Sequence, residues 1–359
     1  MTTTQFHALR GPPAGAGGPT TMTAVVQDRY SSAPEGLLRV ARIDRPAISE
    51  DEVLVRVQAA SVDRGTWHIM AGLPYPIRLA GFGLRRPKYL HPGRCLAGTV
   101  EAVGPGATGF APGDQVYGTC NGSFAEYVTV PPDKLAAKPT NLTYEQAAAA
   151  PISAVTALQG LRDRGRVQPG HKVLIVGASG GVGTVAVQIA KAFGAEVTGV
   201  CSTSKVDLVR ALGADHVIDY TAGDDTDGER YDVVLDTGGH RSLRRLRRAL
   251  TPRGTLVIVG SETEGRWLGG FDRTIRAMLL SPFVSQNLAP LASSENASDL
   301  IVLSGLIESG QVTPVIDRTY PLEEAAAAIR HMLDGKARGK VVVSVSPSGI
   351  QAPPPGSTP

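Results

Sequence analysis

The segment Lys172-Val-Leu-Ile-Val-Gly177-Ala-Ser-Gly180-Gly181-Val-Gly183-Thr, followed by the run Val185 to Phe193, has residue types and spacing that can do chemistry. It reads as an apolar strand, a glycine turn and a helix with apolar faces. Such a turn lets bare backbone approach a pyrophosphate at a helix N-terminus, where unpaired N–H groups and the dipole favour negative charge. Gly180, Gly181, Val182 and Gly183 are the residues placed against the phosphates. Ala195-Glu-Val-Thr-Gly-Val200 follows as a second strand, so the glycines have the flanks a dinucleotide site requires. A strand–turn–helix corner without a ligand is the alternative.

The end of that second strand bears on which dinucleotide. An NAD site places Asp or Glu about 20 residues past the glycines to hold the ribose hydroxyls. This chain reads Val200-Cys201-Ser202-Thr203-Ser204-Lys205, hydroxyls and one cation with no acid. An acid would repel a 2′-phosphate, whereas Ser202, Thr203 and Lys205 can donate to it. Tyr220, at the end of Ala214-Asp-His-Val-Ile-Asp-Tyr220, is placed to close the pocket. NADPH is therefore the expected cofactor, with a solvated turn and a surface lysine as the alternative.

The elements that must position these residues fit a chain of 359 residues, long enough for two domains. Hydrophobic residues make up 42%, enough for packed cores, yet no apolar stretch is long and clean enough to span a bilayer. Residues 1–21, with the stretch Gly11-Pro-Pro-Ala-Gly-Ala-Gly-Gly-Pro, and 347–359 read as disordered ends. The beginning lacks the basic-then-apolar pattern of a secretory signal. Cys95, Cys120 and Cys201 are few and scattered, which suits a reducing cytoplasm. A net charge of +3 gives no reason to expect nucleic acid. In Arg241-Ser-Leu-Arg-Arg-Leu-Arg-Arg-Ala-Leu250, Leu243, Leu246 and Leu250 fall at helical spacing, which leaves the arginines on a solvated face.

From Thr23 to Pro139 short β-like runs alternate with turns such as Gly104-Pro-Gly106 and Pro112-Gly-Asp114, the pattern of a β-barrel-like domain. The middle of the chain alternates strands with helices, which argues a parallel sheet with helices on both faces. The strand Lys340-Val-Val-Val-Ser-Val345 follows a complete α/β unit and is expected to return to the first domain. A nucleotide domain inserted in this way leaves a cleft suited to small molecules.

With those elements in place, Met22 to Val345 resembles the medium-chain dehydrogenase/reductase superfamily, and within it the zinc-free quinone-oxidoreductase-like branch. The resemblance rests on Pro92-Gly93 leading to Ala97-Gly-Thr-Val, Val103-Gly104, Pro112-Gly-Asp-Gln-Val116 and Phe124-Ala-Glu-Tyr-Val. It continues through Pro169-Gly-His-Lys-Val-Leu-Ile, the glycine turn, Leu212-Gly-Ala-Asp and Arg338-Gly-Lys-Val-Val-Val. It implies an α/β protein in which a Rossmann doubly wound parallel sheet, residues 147–291, joins a GroES-like β-barrel domain, residues 22–146 with 292–346. It also implies homodimers acting on small molecules. Zinc-dependent relatives carry a Cys, a Gly-His-Glu triplet and four close cysteines. Here Ser61-Val-Asp63-Arg64-Gly65 and Gly93-Arg94-Cys95 stand in the first two places and the cysteine cluster is missing, so no metal site is expected.

Without zinc to polarise a carbonyl, the expected reaction is hydride transfer from NADPH to a quinone or α,β-unsaturated carbonyl, whose conjugation spreads the incoming charge. The segment that lines the nicotinamide in the resembling branch reads Asp63-Arg64-Gly65-Thr66-Trp67-His68, with Asp63 and His68 as polar groups and Trp67 as a wall. An ordinary helix start with a surface His68 is the alternative. Thr156, Asp236, Gly260 and Ser261 match positions beside the cofactor. Phe82 and Leu84, in the insertion Tyr75 to Lys88, are expected to face inward over the substrate, with a dimer or core contact as the alternative. Two other readings remain: a metal-free alcohol dehydrogenase-like enzyme, and a silent NADPH-binding sensor or scaffold.

Overall fold

The structure is a computed structural model that describes residues 20–223, 228–260, 267, 269 and 271–345. Most of the two expected disordered ends lies outside the described residues. Thr21, assigned to the first of them, instead opens the strand Thr21–Val26, which pairs antiparallel with Arg39–Asp44.

The glycine turn belongs to a six-stranded parallel sheet. Its order is His216–Asp219, Glu196–Cys201, Lys172–Val176, Tyr231–Asp236, Leu250–Ile258 and Asn287–Pro290. Strand order reverses at Lys172–Val176, between its neighbours Glu196–Cys201 and Tyr231–Asp236, and ligands of open α/β sheets bind outside the carboxyl ends at such a switch point. These strands read as unbroken Val, Ile and Leu because both faces are covered: Val173, Leu174 and Ile175 are each fully buried. The arginine-bearing helix is shorter than its spacing suggests, Leu243–Arg248, and Leu250 is the first residue of the following strand. Leu246 and Leu250 still share one apolar cluster, with Leu243 packed against it.

The second sheet is built around Val53–Val62, which pairs antiparallel with Cys95–Val103, Tyr127–Val130 and Lys340–Ser344. Ile316–Pro321 adds to Lys340–Ser344 in parallel, with the helix Ala325–Leu333 between them. Phe124, Leu96 and Met70 fill the interior of this half. The architecture is therefore a Rossmann sheet joined to a GroES-like β domain.

One charged pair lies inside the first half. Arg273, on the helix Phe271–Leu280, donates to Asp236 at the carboxyl end of its strand, and both side chains are buried. Burial pushes the Asp236 carboxyl above the usual range, while Arg273 and the N–H groups of Gly239 and Gly238 pull it back. Removing one member of a buried pair strands the other charge. Arg273→Ala is expected to lower unfolding free energy by about 3–5 kcal/mol, measured by denaturant titration. The double variant Arg273→Met with Asp236→Leu should recover most of that loss, and a double variant as unstable as the single would refute this account.

Candidate active site

The glycine turn starts at Gly177, whose φ of +82° favours glycine. It feeds the helix Gly181–Ala192, whose first N–H groups have no intrahelical acceptor. A side chain at Gly183 would place its Cβ 2.1 Å from the Gly177 carbonyl oxygen, so the helix can approach its strand only through glycine. Val182 stands half-buried between these glycines. The turn thus presents bare backbone and a dipole end, the arrangement that a pyrophosphate needs.

The second sheet closes on this turn. Gly339 donates its N–H to the Ser179 carbonyl at 2.9 Å and bridges to Gly180. The next residue, Lys340, runs its stem along the turn: a Cβ on Gly181 would lie 2.9 Å from Lys340 Cδ and 3.3 Å from Ser153 Oγ. Lys340 is 4% exposed, and its side chain has no hydrogen-bonding or ion-pairing partner among the described residues. With no carboxylate paired to this ammonium among the described residues, a bound phosphate would supply its countercharge. Sequence reading passed over this lysine because it lies in a strand about 160 residues past the glycines.

Asp63, Trp67 and His68 share one short helix, Arg64–Ala71. Asp63 is its N-cap: Oδ1 accepts the Thr66 N–H at 2.7 Å, and Oδ2 stands 3.8 Å from the Cys95 sulfur. Burial, with the Asp63 charge adding to it and Lys340 opposing, pushes the Cys95 thiol up to about 12. Trp67 donates its indole N–H to the Ser32 carbonyl at 3.0 Å, and its ring lies edge-on to His68 with centroids 5.0 Å apart. His68 Nδ1 faces the Leu73 carbonyl at 2.8 Å, and since a carbonyl only accepts, that nitrogen carries the hydrogen. Among the described residues, no three His, Cys, Asp or Glu side chains group as ion ligands.

Thr156, on the buried helix Pro151–Gln159, is 7% exposed and lies 3.3 Å from Ser293 Oγ. One helical turn away, Gln159 joins Asp299 at 2.6 Å and the Ser294 carbonyl at 2.7 Å, which fixes the connection after the last parallel strand. Asp236, expected beside the cofactor, instead buries its carboxylate against Arg273, leaving no side chain for the cleft. Gly260 is half-buried, where a Cβ would lie 3.7 Å from the Thr237 carbonyl oxygen, and Ser261 lies outside the described residues.

At the end of the second strand the structure brings in an acid that the segment Val200 to Lys205 itself lacks. Thr203 Oγ1 donates to Asp219 at 2.6 Å, and Asp219 is paired in register with Cys201 on the neighbouring strand. Hydrogen bonds from Thr203 and Thr221 hold the Asp219 carboxyl below the usual range. Tyr220 follows the strand end and is exposed. Lys205 Nζ donates to the carbonyls of Gly335 and Ala337, at 3.0 and 2.8 Å. Burial chiefly, with nearby Arg338 contributing, lowers its pKa. Ser202, Thr203, Lys205 and Arg338 thus share a rim with two carboxylates, Asp219 and Asp317. Leu84, expected to face inward, is largely exposed.

Residues 49–140 match the family model described as an alcohol dehydrogenase GroES-like domain, and residues 212–343 the one described as a zinc-binding dehydrogenase. The chain is 31% identical to the mitochondrial NAD(P)H oxidoreductase RTN4IP1 of Mus musculus, over 91% of this chain and 90% of that protein. It is 31% identical to the 2-methylene-furan-3-one reductase of Solanum lycopersicum, over 92% of this chain and 80% of that protein. The solved quinone oxidoreductase of Coxiella burnetii superposes with a TM-score of 0.75 at 26% identity, covering 91% of this chain and all of that one.

The raised Cys95 pKa carries a pH signature. Unfolded, the thiol ionises near about 8.5; folded, it keeps its proton to about 12. Its contribution to stability is therefore complete below the first value and is lost as pH rises from there through the second. Cys95→Ala is expected to flatten the fall in stability at alkaline pH, measured by denaturant titration across that window. An unchanged slope would refute the assignment.

Proposed function

The chain belongs to the medium-chain dehydrogenase/reductase superfamily, in its quinone-oxidoreductase-like branch, and from that premise we propose that it passes hydride from NADPH to a quinone or an α,β-unsaturated carbonyl without zinc. It is an oxidoreductase that uses a nicotinamide cofactor. The observation that carries the proposal is the closure of Gly339 and Lys340 on the glycine turn. That contact brings the dinucleotide-binding backbone against the half of the protein that holds Asp63, Cys95 and His68.

When bound, the reduced nicotinamide supplies the hydride. The turn N–H groups and Lys340 would hold the pyrophosphate, whose two negative charges match a dipole end and a cation. Lys205 and Arg338, with the Ser202 hydroxyl, would hold the 2′-phosphate, and Asp219, which already accepts a hydrogen bond from the Thr203 hydroxyl, opposes it. The Lys205 and Arg338 cations support NADPH over NADH, with Asp219 and Asp317 as the opposing carboxylates.

Asp63 positions the helix Arg64–Ala71 rather than meeting the acceptor, since one carboxylate oxygen is bound to the cap N–H. That cap sets the direction of His68. With Nδ1 hydrogen-bonded to the Leu73 carbonyl, the imidazolium form would carry a proton on Nε2 for the product. A conjugated acceptor spreads charge as it is reduced, so orientation and hydrogen-bond donors can replace much of what a metal supplies. A simple ketone offers no such relief, which ranks alcohol–ketone interconversion lower.

The first test is NADPH and NADH oxidation by metal-chelated protein over a panel of quinones, enones and simple ketones. Turnover with NADPH on the conjugated acceptors alone is the expected result. Turnover confined to simple ketones, or restored only by zinc, would overturn the reading; tight NADPH binding with no turnover on any acceptor would favour the sensor. The cofactor assignment has its own test in equilibrium binding. Lys205→Ala should weaken NADPH roughly tenfold, as expected for one charge-assisted phosphate contact, with NADH little changed. Lys340→Met should weaken both cofactors alike, because the pyrophosphate is common to both. Equal weakening by Lys205→Ala, or wild-type affinity in Lys340→Met, would count against the pocket.

A further inference from the structure

Between Arg64 and Val100 the chain contains no Asp or Glu, yet it carries Arg64, Arg78, Arg85, Arg86, Lys88 and Arg94. For a protein with 36 basic and 33 acidic side chains overall, this is a pronounced local imbalance. The middle of the stretch forms a surface of its own. The Lys88 N–H donates to the Phe82 carbonyl at 2.8 Å and closes a loop whose tip is Leu84, Arg85 and Arg86. The loop is held from behind. The Tyr30 hydroxyl lies within hydrogen-bond distance of the Phe82 and Gly83 carbonyls, and the Arg78 guanidinium stacks over the Tyr30 ring while donating to the Gly72 carbonyl.

What this anchored segment presents outward is apolar and basic together. Leu79 is 77% exposed, Leu84 63% and Leu90 50%. Trp267, 74% exposed, packs edge-on against Tyr75 with centroids 5.2 Å apart, which adds an indole to the same surface. Arg85, Arg86 and Lys88 are exposed between the leucines, and none has a carboxylate partner among the described residues.

We propose that this surface seats the protein on an anionic lipid bilayer. Leucine side chains gain by leaving water for hydrocarbon, an indole settles at the level of the headgroups, and cations among them meet the lipid phosphates. Each basic side chain near an anionic surface strengthens partitioning by about fivefold. An acidic protein would also complement the charge, but leucines on a convex loop suit it less well, since protein hot spots favour buried aromatics and arginine over leucine. No helix of the described residues is long and apolar enough to cross a membrane, so the contact is one of surface only. The helix that carries His68 ends at Gly72, immediately before this segment, so docking would set the candidate site beside the bilayer. The inference goes beyond the proposed reaction and is read by binding alone.

The test is flotation of the full chain with vesicles of phosphatidylglycerol and phosphatidylcholine, against phosphatidylcholine alone. Binding to the anionic vesicles, weakened by salt, is expected. Replacing Arg85, Arg86 and Lys88 by Ser should lower it roughly a hundredfold, and Leu79→Ser with Leu84→Ser should abolish it. All five residues are exposed, so thermal stability and NADPH affinity should stay at wild-type values. Failure to bind anionic vesicles, or binding that neither set of substitutions changes, would overturn the proposal. So would a dimer in sedimentation that the leucine substitutions dissociate, because a second copy would then cover the surface.

Discussion

Everything in this protein is arranged around a close backbone approach. The helix Gly181–Ala192 packs so tightly onto the end of its strand that a Cβ at Gly183 would nearly coincide with the Gly177 carbonyl oxygen. That approach leaves the first N–H groups of the helix without acceptors and aims them past the carboxyl end of the sheet. The strand order turns at the same place, so neighbouring strands diverge and open a crevice there. The second sheet completes it from outside, because Gly339 can donate to Ser179 only where no side chain intervenes.

The distribution of buried charge follows from the same arrangement. Asp236 sits at the end of a central strand, and its charge is met from behind by Arg273. Asp63 is likewise occupied, as the cap of its helix. Lys340 differs, because it is buried against the turn and paired with no described side chain. Two of these groups organise the polypeptide through their pairing, whereas the third has no such partner among the described residues.

The rim around Ser202 is assembled from segments far apart in the chain. Its hydroxyls come from the end of one strand, one carboxylate from the neighbouring strand through the Asp219–Cys201 register, and Arg338 from the connection before the last strand. Lys205 ties two of those segments together through the Gly335 and Ala337 carbonyls. The pocket's balance of charge is thus a property of the fold rather than of any one motif.

The sequence by itself determined the parallel sheet, the glycine turn and the resemblance to a reductase family. Those signals are local: apolar runs of strand length, glycines where a side chain cannot fit, and short motifs in a fixed order. It also marked Ser202, Thr203 and Lys205, because they immediately follow a strand that was itself legible. Tertiary structure decided the rest. Asp236 turned inward because Arg273 lies behind its strand, and Leu84 turned outward because its loop is held by backbone hydrogen bonds rather than by its side chain. Asp219 and Lys340 reached the site through strand pairing, across about 16 and 160 residues of chain. Register between distant strands has no local spacing to betray it, so the neighbours of a site emerge only once the sheets are built.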